Sequence, residues 1–332
     1  MKPLTIIIAE HNEGTQLNDT LDSILNTSDD KNYEIIVVSD CSTKLLDLTK
    51  YGSLVTHVNN STRMGVGASF DIGAIRAETP HLITMGSDIR FVKNGYIEKM
   101  LDILEDNEKS LVCTTNIGIN ADRMDIEDPK ARRRYGARLL FFMKGEDLPR
   151  NSRMFAKGDP RKASFRNILE AKWIERQEGS VRDLPCILGA FYGVTRYWYD
   201  HIKGYRGHRY WGTLEPYISL KSWFAGGDCK IANDIEVAHI FKQRPSHVTQ
   251  SHDLVYNKLF ACEVLFDREV RTKMINFLGD NEHIQRAKRM ILKDQDSVNY
   301  LKKYHQSIFT RDIHWWNNRF PFKYYEDIIM EE

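Results

Sequence analysis

Hydrophobic and polar positions follow two alternating periods in the first hundred residues. Short apolar runs predict strands at residues 4–9, 33–40, 54–60 and 81–88. Apolar residues at helical spacing predict helices at residues 12–27 and 65–78. Strands that alternate with helices favour an α/β fold with a mainly parallel sheet covered on both faces.

The later part of the chain changes pattern twice. From about residue 120 to 185 the alternation stops, and loop-forming residues predict an insertion. We expect a strand and helix at 186–202, a helix at 211–227, a strand at 230–241, and one helical stripe at 281–304. These changes divide the chain at residues 120, 185 and 250 into a first half (1–120), a basic insertion (121–185), a further strand-and-helix part (186–250) and a helical region (251–332).

Three strands of the first half end in polar residues. The ends read "AEHNE", "SDCS" and "GSDIR", and ligands of parallel sheets bind where strands reach their carboxyl ends. Neither G-x-G-x-x-G in the first turn nor G-x-x-x-x-G-K-[ST] occurs, which argues against a dinucleotide or P-loop site. The pattern predicts a rim that binds another nucleotide ligand.

Composition narrows the class of protein. The five cysteines are odd in number and form no C-x-x-C pair, so we expect a reducing, cytoplasmic location and neither a disulfide framework nor a zinc–thiolate cluster. No leader peptide and no apolar run long enough to span a membrane is apparent. Residues 130–182 contain 15 Lys or Arg against 6 Asp or Glu, which indicates either an anionic partner or a solvated, internally paired surface.

Motifs in this order resemble the GT-A-fold glycosyltransferases, particularly family two and the polypeptide N-acetylgalactosaminyltransferases. "TIIIAEHNE" is similar to their "SVIIPTYNE", and "EIIVVSDCST" to "EIIVVDDGST". "YWGTLEPYISLKSWFAGG" resembles "WGGENLEISFRxWxCGG", "VAHIFK" resembles "VGHVFR", and "NKLFACEVLFD" resembles "NxxRxAEVWMD". The resemblance covers residues 4–95 and 186–267, and it implies sugar transfer from a nucleotide sugar. It also implies that residues 1–120 form the nucleotide-sugar-binding half and that residues 186–250 form the acceptor half with the metal-binding strand.

The same resemblance implies a metal site. Asp88 matches the last position of the D-x-D or D-x-H motif, and His239 matches a downstream ligand. Gly86 stands where the family usually has its first Asp. Carboxylate and imidazole ligands favour Mn²⁺, with Mg²⁺ as the alternative. Read singly, Asp88 is a turn residue and His239 a structural histidine; taken together, they favour a metal pair.

A UDP-sugar donor site is also implied. Asp40, with Ser39, matches the acid that reads uracil, and Arg63 matches the arginine facing base and phosphates. The further donor-site positions are Ala9, His11, Glu13, Gly65, Ser87, Trp211, Lys242, Arg244 and His247. Lys242, Arg244 and His247 are interpreted as a cationic lid over the diphosphate. Trp211 is either a wall for the sugar or acceptor, or a core residue.

Glu215 is the candidate catalytic base. It falls where inverting relatives keep a carboxylate and retaining, polypeptide-modifying relatives keep Asn. A carboxylate near the acceptor hydroxyl would take its proton. Leu214 replaces the usual preceding Glu, so retention and inversion both stay open. The alternative interpretation is a first-turn acid that stabilises a helix dipole.

The acceptor is the least determined part of the site. Cations and aromatic residues in 130–182 are typical of surfaces that bind nucleic acid. The sharpest hypothesis is transfer to a polyanion such as DNA containing hydroxymethylpyrimidines, as some bacteriophage GT-A enzymes do. A bacterial polysaccharide or glycoconjugate transferase and a catalytically silent binding module are the alternatives. The aromatic tail at 309–325 is interpreted as packed rather than as a stacking surface.

Overall fold

The computed structural model describes residues 2–28, 32–44, 46–91, 93–119, 131–148, 155–241 and 250–328. The strands are β1 Leu4–Glu10, β2 Tyr33–Ser39, β3 Val55–Asn59, β4 His81–Gly86, β5 Ile89–Phe91, β6 Ser110–Ile119, β7 Arg132–Arg134, β8 Ala137–Lys144, β9 Arg166–Trp173, β10 Val181–Asp183, β11 Phe191–Thr195 and β12 Asp228–Ile240.

The helices are α1 Thr15–Asn26, α2 Val66–Arg76, α3 Tyr96–Asp106, α4 Arg161–Ser164, α5 Arg196–His201, α6 Leu214–Phe224, α7 Ser251–Leu265, α8 Arg268–Phe277, α9 Glu282–Lys293, α10 Gln295–Ile308 and α11 Ile313–Arg319. The helices and strands predicted in the first ninety residues are confirmed to within a few residues. No helix within the described ranges is both long and apolar enough to cross a membrane.

A ten-stranded sheet forms the centre of the molecule, with β10-β12-β6-β11-β4-β1-β2-β3 as its main order. Pairing is parallel within β4-β1-β2-β3 and between β6 and β12, whereas β11 runs antiparallel between β4 and β6. Helices α1 and α3 contribute to the core on one face, and α2, α6 and α7 to the core on the other. This two-sided cover explains why β1 is apolar along nearly its whole length.

At the carboxyl ends of β6 and β12, the sheet continues as a shorter ribbon of four strands. Strand β12 has a register shift between Ala232 and Glu236, and beyond it β12 pairs with β5 on one side and β6 on the other. Strand β7 adds to the far side of this part of β6. A bulge of this kind bends a strand and redirects its side chains. The ribbon order β5-β12-β6-β7 positions the candidate site.

The predicted insertion is packed into the molecule where the structure describes it. Strands β8 and β9 form a separate antiparallel pair, and their buried side chains belong to the larger core. The Phe142 ring lies 4.5 Å from Phe277 of α8, and the Phe141 ring lies 4.2 Å from Phe322. In the tail, Trp316 is buried and packs edge-on against Trp223, which confirms the interpretation of a packed tail.

The helical stripe predicted at 281–304 is divided into two helices. Helix α9 ends at Lys293 and α10 begins at Gln295. Between them, the Asp294 carboxylate accepts hydrogen bonds from Arg209 at 2.6 Å and from the Tyr256 hydroxyl at 2.9 Å. These tertiary bonds hold the break, which the continuous apolar periodicity did not reveal.

A buried histidine in α10 should make folding sensitive to acid. Burial, followed by the nearby Lys221, lowers the pKa of His305 from 6.5 to about 2. Below pH 6.5 the unfolded chain therefore binds a proton that the folded chain refuses, which costs about 1.4 kcal/mol of stability per pH unit. In His305→Phe this contribution is absent, so the unfolding free energy measured by urea titration should fall less steeply from pH 6 to pH 4.

The exposed His283 of α9 provides the matched control. His283→Phe should keep the wild-type pH dependence, since that side chain is exposed. If the unfolding free energy of wild type and of His305→Phe falls equally with pH, His305 is not the source of the acid sensitivity.

Candidate active site

The polar strand ends meet at one edge of the sheet. Ala9, near the end of β1, pairs with Val38 of β2 and with Gly86 of β4. The segments that follow these residues are therefore neighbours, as expected for the carboxyl ends of adjacent parallel strands. His11, Glu13, Ser39 and Asp40 lie on one part of this edge, and Ser87 and Asp88 on another.

Asp40 ties the donor-side loops together. Its buried carboxylate accepts hydrogen bonds from the backbone N–H of Met64 at 2.7 Å and of Gly65 at 2.8 Å. The Asp40 carbonyl lies 2.7 Å from Nδ1 of His11. Asp40 therefore positions the segment that carries Arg63. Reading of uracil by Asp40 stays a prediction.

Glu10 is a carboxylate that the sequence interpretation overlooked. It is buried, and Oε1 accepts hydrogen bonds from the hydroxyls of Ser39 and of Ser42, the latter at 2.5 Å. Its Oε2 accepts from the backbone N–H of Glu13 at 3.3 Å. The sequence signal for it is that Glu10 is the charged residue at the end of the apolar strand β1. Glu10 orders the loop that follows β1.

Gly65 permits a close backbone approach to Tyr210. A Cβ at position 65 would lie 2.2 Å from the Tyr210 Cα, and Gly65 has a φ of 101°. The Tyr210 N–H donates to Met64, and the Val66 N–H donates to Tyr210. The Arg63 guanidinium lies 5.4 Å from the centre of the Tyr210 ring. The loop before Trp211 is thereby joined to the donor side.

Asp88 and His239 converge although they lie far apart in sequence. Oδ1 of Asp88 is 3.5 Å from Nε2 of His239, and both side chains are partly exposed. Strand β5 places them together, because Ile89 pairs with His239 and the Asp88 carbonyl accepts from the Ile240 N–H. Thr20 donates to the carbonyl of buried Ser87 at 2.6 Å, which anchors the turn.

The donor set fits a divalent cation. One carboxylate oxygen and one imidazole nitrogen lie 3.5 Å apart on two partly exposed side chains, and this combination suits Mn²⁺. A Cβ at Gly86 would lie 2.7 Å from the Asp88 Oδ1, so the absence of a side chain there gives the Asp88 carboxylate room. Within the described ranges, no group of three or more His, Cys, Asp and Glu side chains forms a metal site. The fit therefore rests on two protein ligands.

Glu215 lies in the first turn of α6, and its carboxyl interacts electrostatically with His239. Burial raises the pKa of the Glu215 carboxyl, the charge of Glu170 raises it further, and His239 lowers it. A Cβ at Gly189 would lie 2.5 Å from Oε1 of Glu215, so a glycine makes room for this carboxylate too. A raised pKa suits a group that must take a proton, because it makes the carboxylate a stronger base.

Trp211 lies at the surface of the site rather than in the core. Its side chain is 52% exposed, while its carbonyl accepts a hydrogen bond from the Asn257 amide at 3.1 Å. The backbone is thus fixed and the indole is available to a ligand. Lys242, Arg244 and His247 lie outside the described residues, so the predicted lid has no structural description.

Comparison with protein families finds one matching model. Residues 5–161 match the model of glycosyl transferase family 2. The matched segment contains β1 to β8, and with them Asp40, Arg63 and Asp88.

Similar curated proteins are polypeptide N-acetylgalactosaminyltransferases. Number 8 of Drosophila melanogaster is 26% identical over 255 residues, which cover 72% of this chain and 38% of the relative. Number 16 of Homo sapiens is 26% identical over 272 residues, which cover 79% and 45%. The chain thus spans less than half the length of these relatives.

The fold is shared with a solved structure, the crystal structure of GalNAc-T7 with UDP, GalNAc and Mn²⁺. The TM-score is 0.67 at 18% sequence identity, and the match covers 95% of this chain and 56% of that one. At this identity the likeness establishes the fold, an α/β architecture with a mainly parallel sheet and added C-terminal helices.

Proposed function

We propose that this chain, which carries a glycosyl transferase family 2 domain within a GT-A fold, transfers a sugar from a UDP-sugar to a hydroxyl acceptor with the help of a divalent metal. The observation that carries the proposal is the convergence of Asp88 and His239 at 3.5 Å, with His239 interacting electrostatically with Glu215. A fold neighbour solved with UDP and Mn²⁺ supports the choice of donor and ion.

The side chains have separate tasks in this proposal. Asp88 and His239 would hold Mn²⁺, which when bound neutralises the charge that grows on the departing diphosphate. Asp40 orders the loop that presents Arg63 to the nucleotide. The acceptor oxygen forms a bond to the sugar C1 as the C1–O bond to the diphosphate breaks, and the hydroxyl proton passes to the Glu215 carboxylate. The exposed Trp211 would border the sugar or acceptor.

The acceptor we propose is a polyanion, with hydroxymethylpyrimidine DNA as the sharpest case. The excess of nine positive charges in residues 130–182 supports it. Some of these cations are internally paired, such as Arg133 with Glu236 at 3.2 Å and Arg161 with Asp159, whereas Arg138 and Lys172 are exposed. The relatives are named for polypeptide acceptors, so peptides belong in the same test. We also propose that the protein acts in the reducing cytoplasm, because its five cysteines are free thiols.

A donor and acceptor panel tests the proposal. Thermal shift and hydrolysis are measured with several nucleotide sugars, with and without Mn²⁺. UDP-sugars should stabilise the protein and be slowly hydrolysed, and both effects should require Mn²⁺. Binding of DNA should weaken steeply as salt rises, because contacts to phosphate release counterions. Binding that is absent at low salt, or insensitive to salt, would exclude the polyanion. Transfer to an oligosaccharide or peptide would then support those acceptors, while failure of every UDP-sugar would favour a binding module.

A further inference from the structure

Arg134 is a buried arginine with an unusual environment. It is 8% exposed, and its guanidinium carbon lies over two rings, 3.9 Å from the centre of Trp173 and 4.0 Å from that of Phe241. Stacking of this kind favours a cation. It does not satisfy the N–H donors, which need acceptors in the plane of the group.

Two of its three nitrogens have no protein partner in the part of the chain that the structure describes. Nε and Nη1 of Arg134 are both buried without a hydrogen-bond partner. Burial lowers the pKa of Arg134 to about 10, and the charge of Arg132 contributes to the shift. A buried arginine normally pairs with a carboxylate, since an unpaired buried charge is costly. Within the described residues, the Arg134 guanidinium therefore lacks the anionic partner that its burial calls for.

A glycine gives the guanidinium its place. A Cβ at Gly118 of β6 would lie 2.4 Å from Nη1 of Arg134 and 3.3 Å from the Phe241 ring. Gly118 pairs directly with His239 across the strands, and directly paired residues project from the same face. The guanidinium therefore covers the face of the ribbon from which the His239 imidazole projects.

Contacts connect Arg134 with the metal pair. The Phe241 ring that stacks on Arg134 lies 4.4 Å from the His239 ring, and His239 lies 3.5 Å from Asp88. In the ribbon order β5-β12-β6-β7, Asp88 precedes one edge strand and Arg134 lies on the other. The donor side continues from Asp88 through β4, so Arg134 lies on the side away from the donor loops. That is where an acceptor would approach.

We propose that Arg134, held between Trp173 and Phe241, binds a phosphate group of the acceptor next to the metal pair. This rests on the proposed function, and it names one residue that selects a phosphate-bearing acceptor. A guanidinium offers paired N–H donors that match two oxygens of a phosphate. Trp173 is 44% exposed, so its ring also gives a base or sugar of the acceptor a surface on which to stack.

Binding of an oligonucleotide tests the proposal. The probe is an eight-residue thymidine oligonucleotide, and its uncharged methylphosphonate analogue is the matched ligand. Wild-type protein saturated with UDP and Mn²⁺ should bind the phosphate form more tightly. Arg134→Met should weaken binding of that form by at least about tenfold, the worth of one charge-assisted hydrogen bond, and leave the analogue unaffected. Arg286→Met, which removes an exposed cation of α9 outside residues 130–182, should change binding less than about twofold.

A second variant guards against misfolding of the first. Gly118→Ala keeps every charge, but its methyl group would displace the guanidinium, so it should weaken the phosphate form as well. Equal affinity for both oligonucleotides, or unchanged binding in both variants, would overturn the proposal. Loss of UDP affinity with oligonucleotide affinity intact would assign Arg134 to the donor diphosphate and also overturn it. If wild type does not bind UDP, the proposed function fails while the phosphate comparison, repeated without UDP, still decides the Arg134 site.

Discussion

Asp88→Ala and His239→Ala should each abolish most of the stabilisation that Mn²⁺ and UDP together give the protein. The two side chains are the convergent donors of the candidate metal site, 3.5 Å apart. Loss of one leaves a single protein ligand among the described residues. Because even groups that only orient ligands affect metal affinity by 10–100-fold, we expect a loss of about 100-fold or more. Calorimetric titration of UDP at fixed Mn²⁺ measures it.

Exposed residues of the same types provide controls for this experiment. Asp102 lies on the outer face of α3 and His57 on β3, and both are exposed. Asp102→Ala and His57→Ala should leave the affinity for UDP in Mn²⁺ unchanged. If Asp88→Ala and His239→Ala behave like these controls, the metal is bound elsewhere or is not used. The rate of UDP-sugar hydrolysis should likewise fall in Asp88→Ala and His239→Ala and stay unchanged in the two controls.

Glu215→Gln should remove transfer while sparing donor binding. The amide keeps the shape of the side chain but cannot accept the acceptor proton, and positioned general bases contribute about 10²–10⁴-fold to rates. The pH profile provides a second measurement. Burial and Glu170 raise the pKa of Glu215, so kcat should rise with pH as the carboxyl ionises. Glu170→Gln removes the neighbouring negative charge and should move the rising limb of the kcat–pH profile to lower pH.

Glu98 is the matched control, because it is an exposed acid in the first turn of α3. Its replacement in Glu98→Gln removes a favourable interaction with a helix dipole and nothing else. If Glu215→Gln changes only thermal stability, as Glu98→Gln should, then Glu215 merely stabilises α6. An unchanged pH limb in Glu170→Gln would contradict the assigned electrostatic coupling.

Local patterns explain how much of the fold could be predicted. The runs around Ile6, Ile36 and Ile83 are apolar because both faces of the sheet are covered, and a covered strand has a strong signal in its own residues. The break at Asp294 has no such signal, because its cause is a pair of hydrogen bonds from Arg209 and Tyr256. The antiparallel direction of β11 between β4 and β6 could not be predicted from local pattern either. Strand pairing depends on partners that are far away in the sequence.

The sequence by itself determined the strands and their polar ends, and through resemblance it predicted Asp88, His239 and Glu215 as candidates. Only the tertiary structure brought Asp88 to His239, through the pairing of β5 with the bulged end of β12. It alone decided that Gly86 leaves room for a carboxylate and that Gly118 leaves room for Arg134. Periodicity is a property of neighbouring residues, whereas burial, pKa and the distance between side chains arise when remote segments pack together.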